Sequence, residues 1–202
     1  TMDSHLASAA RRAARSLARQ LPGLVFTTHA ADEWGSDERA LERCKADILQ
    51  GDIVIVTMLF LEDHFQPLLP VLRARRDHCD AMVCAMSAGE VSKLTRMGKF
   101  DMSAPASGLM ALLKKLRGKA SETADNRADN AAKASAGEKQ MRMLRRLPKI
   151  LRFIPGAAQD VRAYFLTLQY WLAGSEDNVG RLVHFLVDRY ADGPRRSLRG
   201  MV

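Results

Sequence analysis

Apolar positions along the chain change period several times, and each change marks a change of element. Leu6, Ala9, Ala10, Ala13, Ala14 and Leu17 recur at helical spacing with arginines opposite, and Leu41, Cys44 and Ile48 form a second helical stripe within 37–50. "DIVIVTML" (52–59), a β-branched run after Gly51, reads as a buried strand of a parallel sheet. "DAMVCAM" (80–86), "GLVFTTHA" (23–30) and "KILRFI" (149–154) are the other strand candidates. Pro67 and Pro70 suit the first turn of a helix ending near Arg76, and Ser87 with Glu90 reads as a capping box before a helix at 91–97. Strands alternating with helices predict a doubly wound α/β domain of the flavodoxin or Rossmann kind, with a mainly parallel sheet.

Residues 119–139 lack any large apolar side chain, so they read as a polar linker or insertion between an α/β domain at 1–118 and a second part at 140–202. In that second part Pro155-Gly156 turns a strand into a helix of about 17 residues. Val161, Phe165, Leu168 and Leu172 mark one face, which Tyr164, Leu166 and Trp171 widen until only Arg162, Thr167 and Gln169 break the circumference, so this helix reads as buried on most sides. Gly174 ends this helix and Ser175 caps the next, where Val179, Leu182, Val183, Leu186 and Tyr190 share a face. The two predict a helical hairpin.

The formal charge of +8 calls for a polyanion partner until it is located. Residues 114–152 hold 12 Lys or Arg against 4 Asp or Glu, and the rest of the chain is balanced. No aromatic residue interleaves those positive charges as base stacking requires, so a solvated linker is the better reading and no nucleic-acid partner is expected. The apolar run 163–173 is too short for a bilayer span, which needs about 20 residues. Three cysteines cannot all pair within one chain, which fits a reducing, cytoplasmic compartment. An opening on Thr1 reads as a fragment of a longer protein.

In an open α/β sheet, ligands sit beyond the carboxyl ends of the strands. Thr1–His5 reads as the loop after a strand lying ahead of the sequence, and "TMLFLEDH" (57–64), "MSAGE" (86–90) and "IPGAAQD" (154–160) are the other strand-end loops. The binding candidates are therefore Asp3, His5, Asp63, His64, Ser87 and Glu90. "EDH" at 62–64 with His5 could form a metal or acid-base cluster, but adjacent residues seldom point at one ion, and a polar turn explains them more simply. "MSAGEV" offers N–H groups at a helix start, yet has one glycine and no P-loop lysine. Cys79 and Cys84 differ by an odd number and on one strand would face opposite sides, which disfavours a zinc site. Neither GxGxxG nor GxSxG occurs, and no catalytic or metal residue is assigned.

The string "MLRRLPKILRFIPGAAQDVRAYFLTLQYWLAGSEDNVGRLVHFLVDRY" (141–190) resembles the N-terminal part of the large, porphyrin-binding H subunit of magnesium chelatase. "DIVIVTMLFLEDHFQPLLPVLRARRDHCDAMVCAMSAGEVSKLTRMGKFDM" (52–102) resembles the domain that begins that subunit. The resemblance implies a ligase that inserts Mg²⁺ into protoporphyrin IX on the path to chlorophyll or bacteriochlorophyll. AAA+ partner subunits would hydrolyse ATP to drive the step. It further implies a bacterial cytoplasmic protein, or one peripheral to a photosynthetic membrane. The partners would be the rest of the large subunit, the AAA+ subunits and the porphyrin, while the fragment itself would be a non-catalytic head that binds no cofactor of its own. Its aromatic helix would face the rest of the large subunit, leaving a severed interface in the fragment. The alternative is a stand-alone α/β module that binds a small anion or nucleotide.

Overall fold

The computed structural model describes residues 1–2, 4–104 and 156–201, with Ser4, His5, Glu38 and Ala157 described by backbone alone. The basic segment 114–152 and the candidate strand 149–154 lie outside the described residues, as does Asp3.

Each apolar stripe becomes a helix packed on a sheet. Helix α1 (Ser4–Gln20) buries Ala10, Ala13 and Leu17, while its arginines stay exposed. Helix α2 (Glu38–Gln50) starts where the Asp37 side chain accepts a hydrogen bond from the Arg39 N–H, and it buries Cys44 and Ile48. Strand β1 (Ile53–Thr57) leads to α3 (Glu62–Phe65), a 3-10 turn at Gln66–Leu68 and α4 (Leu69–Arg76). Both prolines sit at first-turn positions, where their missing N–H is no loss. Strand β2 (Ala81–Ala85) is buried throughout.

The next stretch departs from the sequence reading. A single turn, α5 (Gly89–Ser92), replaces the helix expected at 91–97, and β3 (Arg96–Met97) and β4 (Phe100–Asp101) follow as a hairpin. Gly98 turns that hairpin at φ 55°, where a Cβ would lie 2.7 Å from an Asp160 carboxylate oxygen. Thr95 decides the change. Its buried hydroxyl donates to the Cys84 carbonyl at 2.9 Å and accepts from the Cys84 N–H at 3.0 Å, continuing by side chain the pairing that β3 begins on β2.

The described sheet is mixed, in the order β1-β2-β3-β4. Strands β1 and β2 are parallel from Ile53↔Ala81 to Thr57↔Ala85, and the other two neighbours are antiparallel. Both faces are covered, as the doubly wound reading requires. Ala81, Val83 and Met97 pack with α1 and the C-terminal helices, whereas Val54, Val56, Met82 and Cys84 pack with α2 and α4. Residues 24–30, expected as a strand, run without regular secondary structure beside a cavity of about 450 Å³ that separates them from β1.

Helices α6 (Ala157–Ala173) and α7 (Glu176–Tyr190) form the expected hairpin. Gly174 takes the left-handed conformation between them, and the Ser175 hydroxyl accepts from the Asn178 N–H. All five α7 positions expected inside are buried. Helix α6, expected to be buried on most sides, buries Val161, Ala163, Thr167 and Trp171, whereas Leu172 is 56% exposed. Thr167 tolerates burial because its hydroxyl donates to the Ala163 carbonyl at 2.9 Å. Trp171 joins the core shared with α1 and α7, so the interface expected on this aromatic face is covered at Trp171 by the chain itself.

Two carboxylates fasten the C-terminal helices to the sheet. Asp160 accepts from the Lys99 N–H at 2.9 Å, the Arg189 guanidinium at 3.1 Å and the Tyr190 hydroxyl at 2.9 Å. Asp80 accepts a two-pronged contact from Arg195, both bonds 2.9 Å, and one from the Asp192 N–H. Burial opposes ionisation of Asp80, but these donors hold its carboxyl below the usual range.

Candidate functional site

Strands β1 and β2 end level with each other, since Thr57 pairs with Ala85, and their following loops are laced together. The Leu59 N–H donates to the Ser87 hydroxyl at 3.1 Å, that hydroxyl donates to the Ala85 carbonyl at 3.1 Å, and the Ala88 N–H donates to the Leu59 carbonyl at 2.8 Å. One residue beyond each strand, Met58 and Met86 adopt positive φ, 62° and 47°. A non-glycine residue there costs about 1–2 kcal/mol, so the lacing holds a strained pair of turns. Such strain gathers where a surface is shaped for use. The turns throw Phe60 and Leu61 outward, 55% and 56% exposed.

The predicted residues take different parts in this rim. Ser87 joins the two loops but caps no helix: the N-cap of α5 is Ala88, without a side-chain cap bond. The N–H of Ala88 is spent on Leu59, which weakens the anion-site reading of "MSAGE". Glu62 and Asp63 point to solvent in α3, and Glu90 is exposed at the start of α5. His64 is half-buried with its ring edge-on to Trp34, centroids 6.1 Å apart, and its Nδ1 is buried without a partner, as is the Trp34 Nε1. The side chain of His5 lies outside the described residues with Asp3. Among the described residues no three His, Cys, Asp or Glu side chains converge as metal ligands.

Sequence reasoning missed Met58, Met86, Phe60 and Leu61. The signal was an apolar run, "MLFL", that outlasts the strand by several residues. The cysteine parity argument also fails, because Cys79 precedes β2, and it shares one core cluster with Cys84 and Cys44. All three thiols are free and buried. Burial pushes Cys44 up to about 11 and raises Cys79 and Cys84 as well, so none is poised as a nucleophile.

Among the described residues the rim therefore presents an apolar surface and no acid-base pair. A family model described as "Domain of unknown function (DUF3479)" matches residues 1–165. The chain belongs to the DUF3479 family. This DUF3479 chain is 47% identical over 191 residues to the magnesium-chelatase H subunit of Cereibacter sphaeroides, covering 95% of the chain and 15% of that relative. It is 46% identical over 201 residues to the magnesium-chelatase H subunit of Rhodobacter capsulatus, covering all of the chain and 16% of the relative. Against the chloroplastic magnesium-chelatase ChlH protein of Oryza sativa subsp. indica the identity is 27% over 175 residues, 85% of the chain and 12% of the relative. The chain thus spans about a sixth or less of the length of these curated relatives.

Proposed function

We propose that this DUF3479 chain is the head of a magnesium-chelatase large subunit, which binds protoporphyrin IX while AAA+ partners use ATP to drive Mg²⁺ insertion. The observation that carries the reading is identity of 46–47% sustained along nearly the whole chain to two proteins named as that subunit. The structure supports a non-catalytic part. Metallation requires a base for the pyrrole protons and oxygen or imidazole groups to strip water from a tightly hydrated ion. Among the described residues, the rim carboxylates Glu62, Asp63 and Glu90 are instead exposed, and the little-exposed Asp80 and Asp160 are engaged by arginines. On this reading the head is cytoplasmic, and Phe60 and Leu61 with their methionine-bearing turns face the rest of the large subunit or its porphyrin.

The test is a reconstitution in which protoporphyrin IX, Mg²⁺, ATP and the AAA+ partners are supplied to the isolated chain and to the longer subunit that contains it. The longer subunit should form magnesium porphyrin and the isolated chain none. Metal insertion by the isolated chain would overturn its assignment as a non-catalytic head.

A further inference from the structure

The cavity beside β1 has the form of a missing strand. Its two long walls are main chain. On one side, the Met58 N–H donates to the Ala85 carbonyl, so strand alternation turns Val54 and Val56 toward β2 and leaves the N–H and C=O groups of Ile53, Ile55 and Thr57 facing the opening. On the other side run residues 24–29, without regular secondary structure. Floor and roof are apolar, as the faces of a buried parallel strand must be: Trp171, Val183 and Leu186 lie on one side, Cys44 and Ile48 on the other.

The carboxyl end of that strand is already in place. The Thr1 nitrogen donates to the His29 carbonyl at 3.1 Å and the Ala31 N–H donates to the Thr1 carbonyl at 2.9 Å. This is the bonding pattern of a parallel bridge between Thr1 and Ala30. Polar atoms at the slot are stranded. Thr1 Oγ1, Thr28 Oγ1, Trp34 Nε1 and Trp171 Nε1 all belong to lining residues and are buried without partners, whereas such groups are normally bonded.

We infer that the slot takes a β-strand supplied by the residues joined to the Thr1 nitrogen in the longer polypeptide, lying parallel between residues 24–30 and β1. The register follows from the Thr1–Ala30 bridge. Residues two and four positions ahead of Thr1 stand opposite Thr28 and Phe26, and β1 becomes an interior strand. The shape of the slot is independent of the chelatase reading, while the residues ahead of Thr1 rest on that reading of the chain as part of a longer subunit.

The test compares residues 1–202 with the longer natural polypeptide that keeps about six residues ahead of Thr1, enough to line β1 at ~3.3 Å per residue. Amide exchange is read at Val25, Thr27, His29, Ile53, Ile55 and Thr57, relative to β2 amides. These six should exchange at least tenfold more slowly in the longer chain, and prolines placed opposite Thr28 and Phe26 should remove the gain. Anilinonaphthalene sulfonate should bind the 202-residue chain and be excluded from the longer one. Unchanged exchange at the six amides would overturn the inference. So would dye retained by the longer chain, which would mark a ligand pocket, or a dimer of residues 1–202 in which those amides are already protected, which would mark a strand lent by a second copy.

Discussion

Replacing Asp160 with alanine should cost about 3 kcal/mol of stability. The figure follows from what the carboxylate serves. Its side chain is 12% exposed and that of Arg189 32%, so water reaches the guanidinium but not the other two donors well. Losing the acceptor leaves the Lys99 N–H and the Tyr190 hydroxyl unmatched at about 1 kcal/mol each, with about 1 kcal/mol more from the partly screened arginine. Urea unfolding of a chain this size has a slope of about 2–3 kcal/mol per molar, so the midpoint should fall by roughly 1 M. Gly98→Ala supplies an internal check. In the parent it sets a Cβ 2.7 Å from the carboxylate and strains a φ of 55°. In the Asp160→Ala background the clash is gone and only the strain of about 1 kcal/mol remains. The two changes should therefore be strongly non-additive. An Asp160→Ala midpoint close to the parent value, or strict additivity with Gly98→Ala, would refute the clamp.

Burial opposes ionisation of Asp101, but hydrogen bonds from Ser103 and Arg76 hold its carboxyl down to about 2. A lowered folded pKa gives stability that is present above the unfolded value and lost as pH falls toward about 2, so acid titration of Asp101→Asn should show less loss than the parent between about pH 4 and 2. Thr95→Val keeps the shape but strands the Cys84 N–H and C=O, and calorimetry should show a loss of about 2–4 kcal/mol. A thiol reagent at about pH 8 should label the folded protein at least about a hundredfold more slowly than the urea-unfolded chain, because all three cysteines are buried and their thiols are raised.

The helices that sequence exposed most clearly, α1, α2, α6 and α7, carry apolar stripes long enough to show their period. The stretch 91–102 defeated the same reasoning because its structure depends on distant groups. Thr95 bonds to Cys84 and Gly98 turns against Asp160, and neither partner is visible within a local window. Residues 24–30 carry a strand composition but no regular secondary structure, since a strand is completed by its neighbour and not by its own residues. The burial of Thr167, read from sequence as a break in the apolar surface of α6, has a similar origin: the Ala163 carbonyl receives its hydroxyl. At the rim, the sequence reading gave Ser87 the task of a cap, whereas its hydroxyl links the two strand-end loops. The positive φ of Met58 and Met86 left no mark, because methionine does not advertise a left-handed turn as glycine does.

The central claim, that this chain serves as the head of a chelatase large subunit, is tested most directly by exchange. Residues 1–202 would replace the matching region of the Cereibacter sphaeroides relative, and magnesium insertion into protoporphyrin IX would be followed by fluorescence with the AAA+ partners and ATP. At 47% identity across 95% of the chain, the hybrid should work within about tenfold of the parent, and Phe60→Ser with Leu61→Ser should lower its rate without unfolding it. A hybrid that folds and binds porphyrin like the parent yet inserts no magnesium would contradict the account.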